Sequence, residues 1–154
     1  MKKIFIMLML VVPFFGYAKN KSQENNNFVE QLINEKSFDF IAKSALPSKG
    51  NHISLSSAYD IKISGDTVVV YLPYYGRAYS AITSSDESGY KFTSTKNDFK
   101  VKQTKRGWDV TIKPTDVPNG VQLYLNISTT GHTMLTVTEN KRDAIAFNGV
   151  LKQK

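Results

Sequence analysis

The chain has no cysteine, one tryptophan and two histidines in 154 residues. Without cysteine there is no disulfide, no thiol nucleophile and no thiolate metal site, so the fold is held by its core alone. His52 lies in "KGNHIS" and His132 in "TGHTM"; neither has a second ligand at metal-binding spacing, and each reads as a turn residue facing solvent. Glycine-rich phosphate loops and the Gly-x-Ser-x-Gly elbow of serine hydrolases are both missing. The acidic residues offer one adjacent pair, Asp86-Glu87, on a polar stretch. Neighbours on an extended chain point to opposite faces, which suits neither general acid–base work nor a calcium loop with its spaced oxygens. No cofactor and no metal are implied. An enzyme is the least supported reading, and a serine, histidine and aspartate gathered from distant parts of the chain is the hydrolytic arrangement left open.

Long hydrophobic runs are also scarce, with one exception. Ile4 to Phe15 is almost wholly apolar, follows Lys2 and Lys3, and precedes Gly16-Tyr17-Ala18 with its small residues at the −3 and −1 positions. That pattern is a secretory signal peptide over residues 1–18, cleaved after Ala18. The run is shorter than the roughly 20 residues a spanning helix needs, and no cysteine follows the cleavage point to carry a lipid anchor. The mature protein is therefore expected to be exported, periplasmic or secreted in a Gram-negative envelope, not lipid-anchored and without a transmembrane segment. Losing Lys2 and Lys3 lowers the formal net charge from +7 to +5. Such mild basicity favours solubility and attraction to anionic surfaces, while export argues against nucleic acid as a partner. The remaining length is that of a single domain burying roughly two thirds of the surface its unfolded chain exposes.

Lys19 to Asn27, "KNKSQENNN", is polar and aperiodic and reads as a flexible tether over residues 19–27. A single β-rich domain is expected from 28 to 154. It opens on a short helix in which Phe28, Val29, Leu32 and Ile33 recur at helical spacing, with Asn27 as N-cap and Glu30 able to turn back to it. Downstream the period changes to two. Phe38, Phe40 and Ala42 alternate with polar neighbours, as do Tyr59, Ile61 and Ile63. Ser64-Gly65-Asp66 turns the chain into "TVVVYL", where apolar residues on both sides predict a strand covered on both faces. Alternation resumes in Phe99 and Val101, in Trp108, Val110 and Ile112, and in Val121, Leu123, Leu125 and Ile127, and "TMLTV" and "AIAF" complete the series.

These are eight to nine short strands with tight connections, hence antiparallel neighbours with one buried and one wet face. The expected fold is mainly β, a single antiparallel eight- to nine-stranded lipocalin-like barrel with one short N-terminal helix; the alternative is a two-layer β-sandwich. The inward residues are large (Phe38, Phe40, Phe99, Trp108, Phe147), which favours a filled interior over a hollow one.

Around "LPYYGRAYS" the chain resembles a bacterial secreted family, DUF4251, a domain of unknown function. The residues that carry the resemblance are Gly65-Asp66, Leu72-Pro73-Tyr74-Tyr75-Gly76-Arg77 and Gly89-Tyr90-Lys91-Phe92. Tyr75 stands where phenylalanine is more usual. The likeness runs from about Phe38 to the C-terminus and implies a small exported β-protein, with no activity attached.

Four tyrosines within Tyr71 to Ser80 make the densest aromatic stretch. The economical reading is a strand-end corner. Pro73 ends the strand, Gly76 supplies a backbone conformation other residues resist, Tyr74 and Tyr75 cap the core, and Arg77 lies over a ring or forks a carboxylate. The functional reading makes Tyr74, Tyr75 and Arg77 the rim of a ligand pocket, apolar area with polar tips and a cation for an anionic head group. A second candidate is the basic ribbon of Lys100, Lys102, Lys105, Arg106 and Lys113 around one hairpin. It reads as an edge guarded against aggregation or as a contact for anionic lipid or acidic polysaccharide. Asn126-Ile127-Ser128 matches a glycosylation sequon but lies mid-strand. Two functional classes follow. One is a non-catalytic binding module for a small apolar or amphipathic ligand, and the other is a periplasmic or cell-surface protein-interaction module with a filled core and an envelope protein as partner.

Overall fold

The computed structural model describes residues 21–77 and 89–154. Its order is α1 (Lys21–Asn34), β1 (Ser37–Pro47), β2 (Ile53–Ser64), β3 (Thr67–Pro73), β4 (Gly89–Ser94), β5 (Asn97–Thr104), β6 (Gly107–Pro114), a 3-10 turn at Pro118–Gly120, β7 (Gln122–Ser128), β8 (His132–Thr138) and β9 (Ile145–Lys152). The described strands form one antiparallel sheet in the order β4-β3-β2-β1-β9-β8-β7-β6-β5. Every neighbour in that order is a sequential hairpin except one: β1 pairs with β9, joining the two ends of the chain (Phe40 opposite Leu151, Ala45 opposite Phe147). Among the described residues no ladder joins β4 to β5. Over the described residues the sheet is thus a meander curled into a half-barrel, with no ladder across one seam.

The curl has local causes. Against β9, Lys43 is an extra residue in β1, between the pairs Ala42–Gly149 and Ser44–Asn148; against β2 the surplus lies in β2, where residues 55–58 fall between the partners of Ala42 and Ser44. Irregularities of this kind bend a strand and sharpen its twist. Opposite Ala42 stands Gly149. A Cβ there would collide with the carbonyl oxygen of Ile41 and come within 2.7 Å of the Phe40 ring. Absence of a side chain lets the buried Phe40 ring lie over the ladder beside the register shift.

Period-two patterning puts the core on the concave face. Phe38, Phe40, Ile61, Ile63, Ile112, Leu123, Leu135, Val137 and Phe147 are fully buried, and Trp108 nearly so. They belong to one continuous apolar cluster. In β3 only Val68, Val70 and Leu72 are buried, while Val69 and Tyr71 on the other face are exposed. The expectation of a strand covered on both faces is corrected: Tyr71 gains its partners across the outer face, stacking on Tyr59 with Lys91 over its ring.

The helix starts six residues before Asn27, at Lys21, so most of the stretch expected as a tether is helical. Val29, Leu32 and Ile33 are buried and cover one end of the half-barrel, with Val29 against the β7–β8 turn at Gly131. The helix ends at Asn34, and two residues on, Lys36 adopts a left-handed φ of 47°, a conformation glycine usually takes at a helix end. Its carbonyl accepts the Gly65 N–H at 2.9 Å and its ammonium pairs with Asp66 at 3.3 Å, tying the helix end to the β2–β3 turn.

Candidate ligand-binding cleft

At the end of the sheet away from α1, three connections meet: the loop after β1, the segment after β3, and the loop between β8 and β9. They are pinned by a tyrosine. β3 ends at Pro73, opposite Gly89, and Tyr74 turns back so that its ring stands edge-on to buried Tyr90, centroids 5.8 Å apart at 89°. The Tyr74 hydroxyl lies 2.8 Å from the Arg77 carbonyl oxygen and 3.2 Å from that of Asp143, sharing one proton between two loops. The Asp143 N–H donates to the same Arg77 carbonyl at 3.1 Å.

Gly76 sits within this corner without a positive φ. The expected backbone role is therefore wrong, and the reason for glycine is steric. A Cβ at 76 would stand 2.7 Å from Tyr74 Cζ, where the ring lies to bring its hydroxyl to Arg77. The role expected of Arg77 falls to another residue as well. It is Arg142 whose guanidinium lies over both rings, 4.9 Å from the Tyr74 centroid and 4.7 Å from that of Tyr90. Arg142 Nε also donates to the Glu139 carboxylate, whose side chain is 2% exposed. A buried carboxylate is held in place by a cation that two aromatic faces also attract.

Electrostatics follow from this packing. Burial drives the Tyr90 hydroxyl far above its ordinary pKa of 10.0, and the Glu139 carboxylate adds to the effect. Tyr74 is raised for the same first reason, with Asp143 next. The Tyr90 hydroxyl is buried and has no hydrogen-bond partner among the described residues.

In front of this cluster lies a cleft of about 500 Å³. Pro47, Ile53 and the Tyr75 ring supply its apolar surface, Lys49 and Arg77 two cations, and Asp143 a carboxylate. Tyr75 and Arg77 face it from an exposed segment, while Tyr74 stands behind, fixing the wall. The three residues expected at a rim are thus together, in two roles. Lys49, Glu139, Arg142 and Asp143 were not legible as site residues: "SKGN" and "NKRD" have the composition of any surface loop, and only the β1–β9 closure brings them beside the tyrosines.

The basic ribbon lies elsewhere, on the edge hairpin β5–β6. Lys100 and Lys102 alternate on β5, Lys113 stands opposite Asp98, and Lys105 and Arg106 form the turn. Lys100 pairs with Asp98 at 3.3 Å, and Asp109, opposite Lys102, accepts a hydrogen bond from Asn126 at 2.7 Å. Asn126 is mid-strand in β7. His52 and His132 are exposed at opposite ends of the sheet, the first in the loop after β1 and the second opposite Val150 near the end of β9. Among the described residues no group of three or more histidines and carboxylates could hold a metal ion, and no helix is long and apolar enough to cross a membrane. Asp86-Glu87 lies outside the described residues.

The model of the family described as "Domain of unknown function (DUF4251)" matches residues 20–151. The chain belongs to this family. A crystal structure of a DUF4251 family protein from Bacteroides eggerthii is similar to it with a TM-score of 0.61 at 13% identity, covering 84% of this chain and 88% of that one. At that identity the likeness concerns the fold, and a DUF4251 half-barrel is what both chains share. No curated protein matches the chain.

Proposed function

We propose that the protein is an exported, non-catalytic binding module that takes a small amphipathic ligand, anionic at one end, in the cleft at the mouth of its half-barrel. One observation carries this reading: Tyr75, Lys49 and Arg77 line a single cleft of about 500 Å³, within the range of small-molecule sites. Apolar surface together with two cations matches a molecule with a short hydrocarbon or ring portion and a carboxylate or phosphate. The large inward side chains, Phe38, Phe40, Trp108 and Phe147 among them, support a site at the mouth rather than along the barrel axis. Export, to the periplasm or beyond without a lipid anchor, is supported by Lys2-Lys3, the apolar run to Phe15 and the Gly16-Tyr17-Ala18 cleavage pattern.

The experiment is native mass spectrometry of the full-length gene product purified gently from the envelope of a Gram-negative host. The expected result is a chain beginning at Lys19 carrying an added mass that denaturation removes, with occupancy at least tenfold lower in Tyr75→Ala/Arg77→Ala. A bare chain that also fails to take up added laurate would sink the ligand reading and favour the second class, a protein-interaction module. That second reading draws on the filled core together with large apolar side chains left exposed on the sheet, Val101 and Met134 among them.

A further inference from the structure

The two edges of the sheet are finished differently. On β4, Tyr90 and Ser94 are buried. On β5, burial fails across the last ladder: Ile112 is 0% exposed but its partner Phe99 only half-buried, and Val110 is 1% exposed while its partner Val101 is 45% exposed. Trp108 is buried and Gln103 opposite it is exposed. The apolar face of the sheet therefore runs out into solvent at an eight-residue strand that pairs on one side only among the described residues. Half of that strand's backbone donors and acceptors point away from β6, as in any edge strand.

The other face of β5 says what would cover it. Lys100 and Lys102 stand two residues apart on the outer side, and Lys105 and Arg106 follow at the turn. Lys102, Lys105 and Arg106 have no acidic partner among the described residues. Directly opposite residues on paired strands lie close enough for charge to decide the pairing. A second copy of β5 paired antiparallel about Val101 would set Lys100 against Lys102. An extended segment with acidic residues at alternate positions would instead set carboxylates against Lys100 and Lys102, and its intervening apolar residues would fall on the side of Phe99 and Val101.

From this juxtaposition we propose that β5 is the docking edge for an extended acidic segment of another protein, added to the sheet as a further strand. The inference is independent of the mouth cleft. Backbone hydrogen bonds supply affinity in this mode and the alternate side chains supply selection.

Three probes separate the possibilities, titrated into isotope-labelled mature protein at low salt. The first is an end-capped ten-residue peptide alternating valine and glutamate. The second is the same peptide with proline replacing alternate valines, equal in charge but unable to form a ladder. The third is heparin. Strand addition predicts saturable binding of the first peptide with amide shifts concentrated at residues 97–104, no comparable shifts from the proline peptide, and roughly tenfold or greater weakening in Lys100→Glu/Lys102→Glu. Both changes lie on exposed positions, and an unchanged melting curve verifies the fold. Equal binding of both peptides, or heparin shifting the same amides as the first peptide does, would reduce the edge to a general anion surface and overturn the proposal. So would binding weaker than about a millimolar, shifts centred elsewhere, or a double variant that binds as well as the parent.

Discussion

At the scale of single residues, the Arg142 guanidinium links two tyrosine rings to a buried carboxylate. It lies over Tyr74 and Tyr90 and holds the carboxylate of Glu139, which is 2% exposed. Removing the cation alone leaves a buried carboxylate without its partner, a loss of about 3–5 kcal/mol in comparable sites, whereas replacing both members with apolar residues of similar volume is often nearly neutral. Arg142→Ala is therefore expected to lower the denaturation midpoint strongly, and Glu139→Leu/Arg142→Met to restore much of it. Chemical denaturation of the three proteins measures the coupling directly. If the double variant is as unstable as Arg142→Ala, the guanidinium matters for its stacking on the rings and not for the charge it neutralises. None of this was legible in "TENKRDA", where four charged residues in seven read as a solvated turn. Sequence shows that an arginine is near tyrosines in the chain, as Arg77 is, but which arginine folds over them is decided by β1–β9 pairing.

At the scale of elements, period-two alternation predicted the strands well because burial on one face of a curved sheet imposes that period everywhere. Val121, Leu123, Leu125 and Ile127 are all buried as their spacing implies. Alternation alone could not say whether the second face of β3 meets protein or water, since valine and tyrosine suit either. The helix start was obscured for a different reason: three consecutive asparagines resemble a cap more than a helix interior, yet α1 continues through them. Element junctions also carry the pH response. At the β4–β5 corner, the Ser94 hydroxyl donates to Asp116 at 2.5 Å and the Thr95 N–H donates to its other oxygen at 2.9 Å. These bonds, the one from Ser94 first, hold the Asp116 carboxyl below its ordinary value of 3.8. A depressed carboxyl stabilises the fold above its unfolded pKa, and the contribution is lost as pH falls through the folded one. Tyr90 has the opposite sense: its pKa is raised by burial, so its contribution holds below its ordinary value of 10.0 and fades as pH rises above it. A stability profile should therefore decline at both extremes. Ser94→Ala should flatten the acid limb and Tyr90→Phe the alkaline limb, each read from melting temperature against pH. An alkaline limb unchanged in Tyr90→Phe would mean that the hydroxyl is not as enclosed as its packing implies.

For the molecule as a whole, the question is what covers a sheet whose described strands do not close on themselves. The β1–β9 ladder ties the chain ends, but the seam between β4 and β5 stays open among the described residues, and an open curled sheet leaves the ends of its core accessible. Helix α1 covers one of those ends with Val29, Leu32 and Ile33, each at most 3% exposed. It therefore acts as part of the domain and not as a spacer before it. Burying an aliphatic side chain of this size contributes about 1.5–3 kcal/mol, and truncating one to alanine in a packed site costs about 2–5 kcal/mol. Ile33→Ala should accordingly destabilise the whole domain in one cooperative transition, with sheet and helix melting together in circular dichroism. Phe28→Ala, at a residue 42% exposed on the same helix, should change little and serves as the control. Were the helix a separate appendage, Ile33→Ala would release it while the β signal kept its original midpoint. The mouth cleft lies at the other end of the sheet and would then remain intact. A domain capped by its helix loses that cleft only when the whole sheet unfolds, so ligand occupancy and the β signal should fall together on heating.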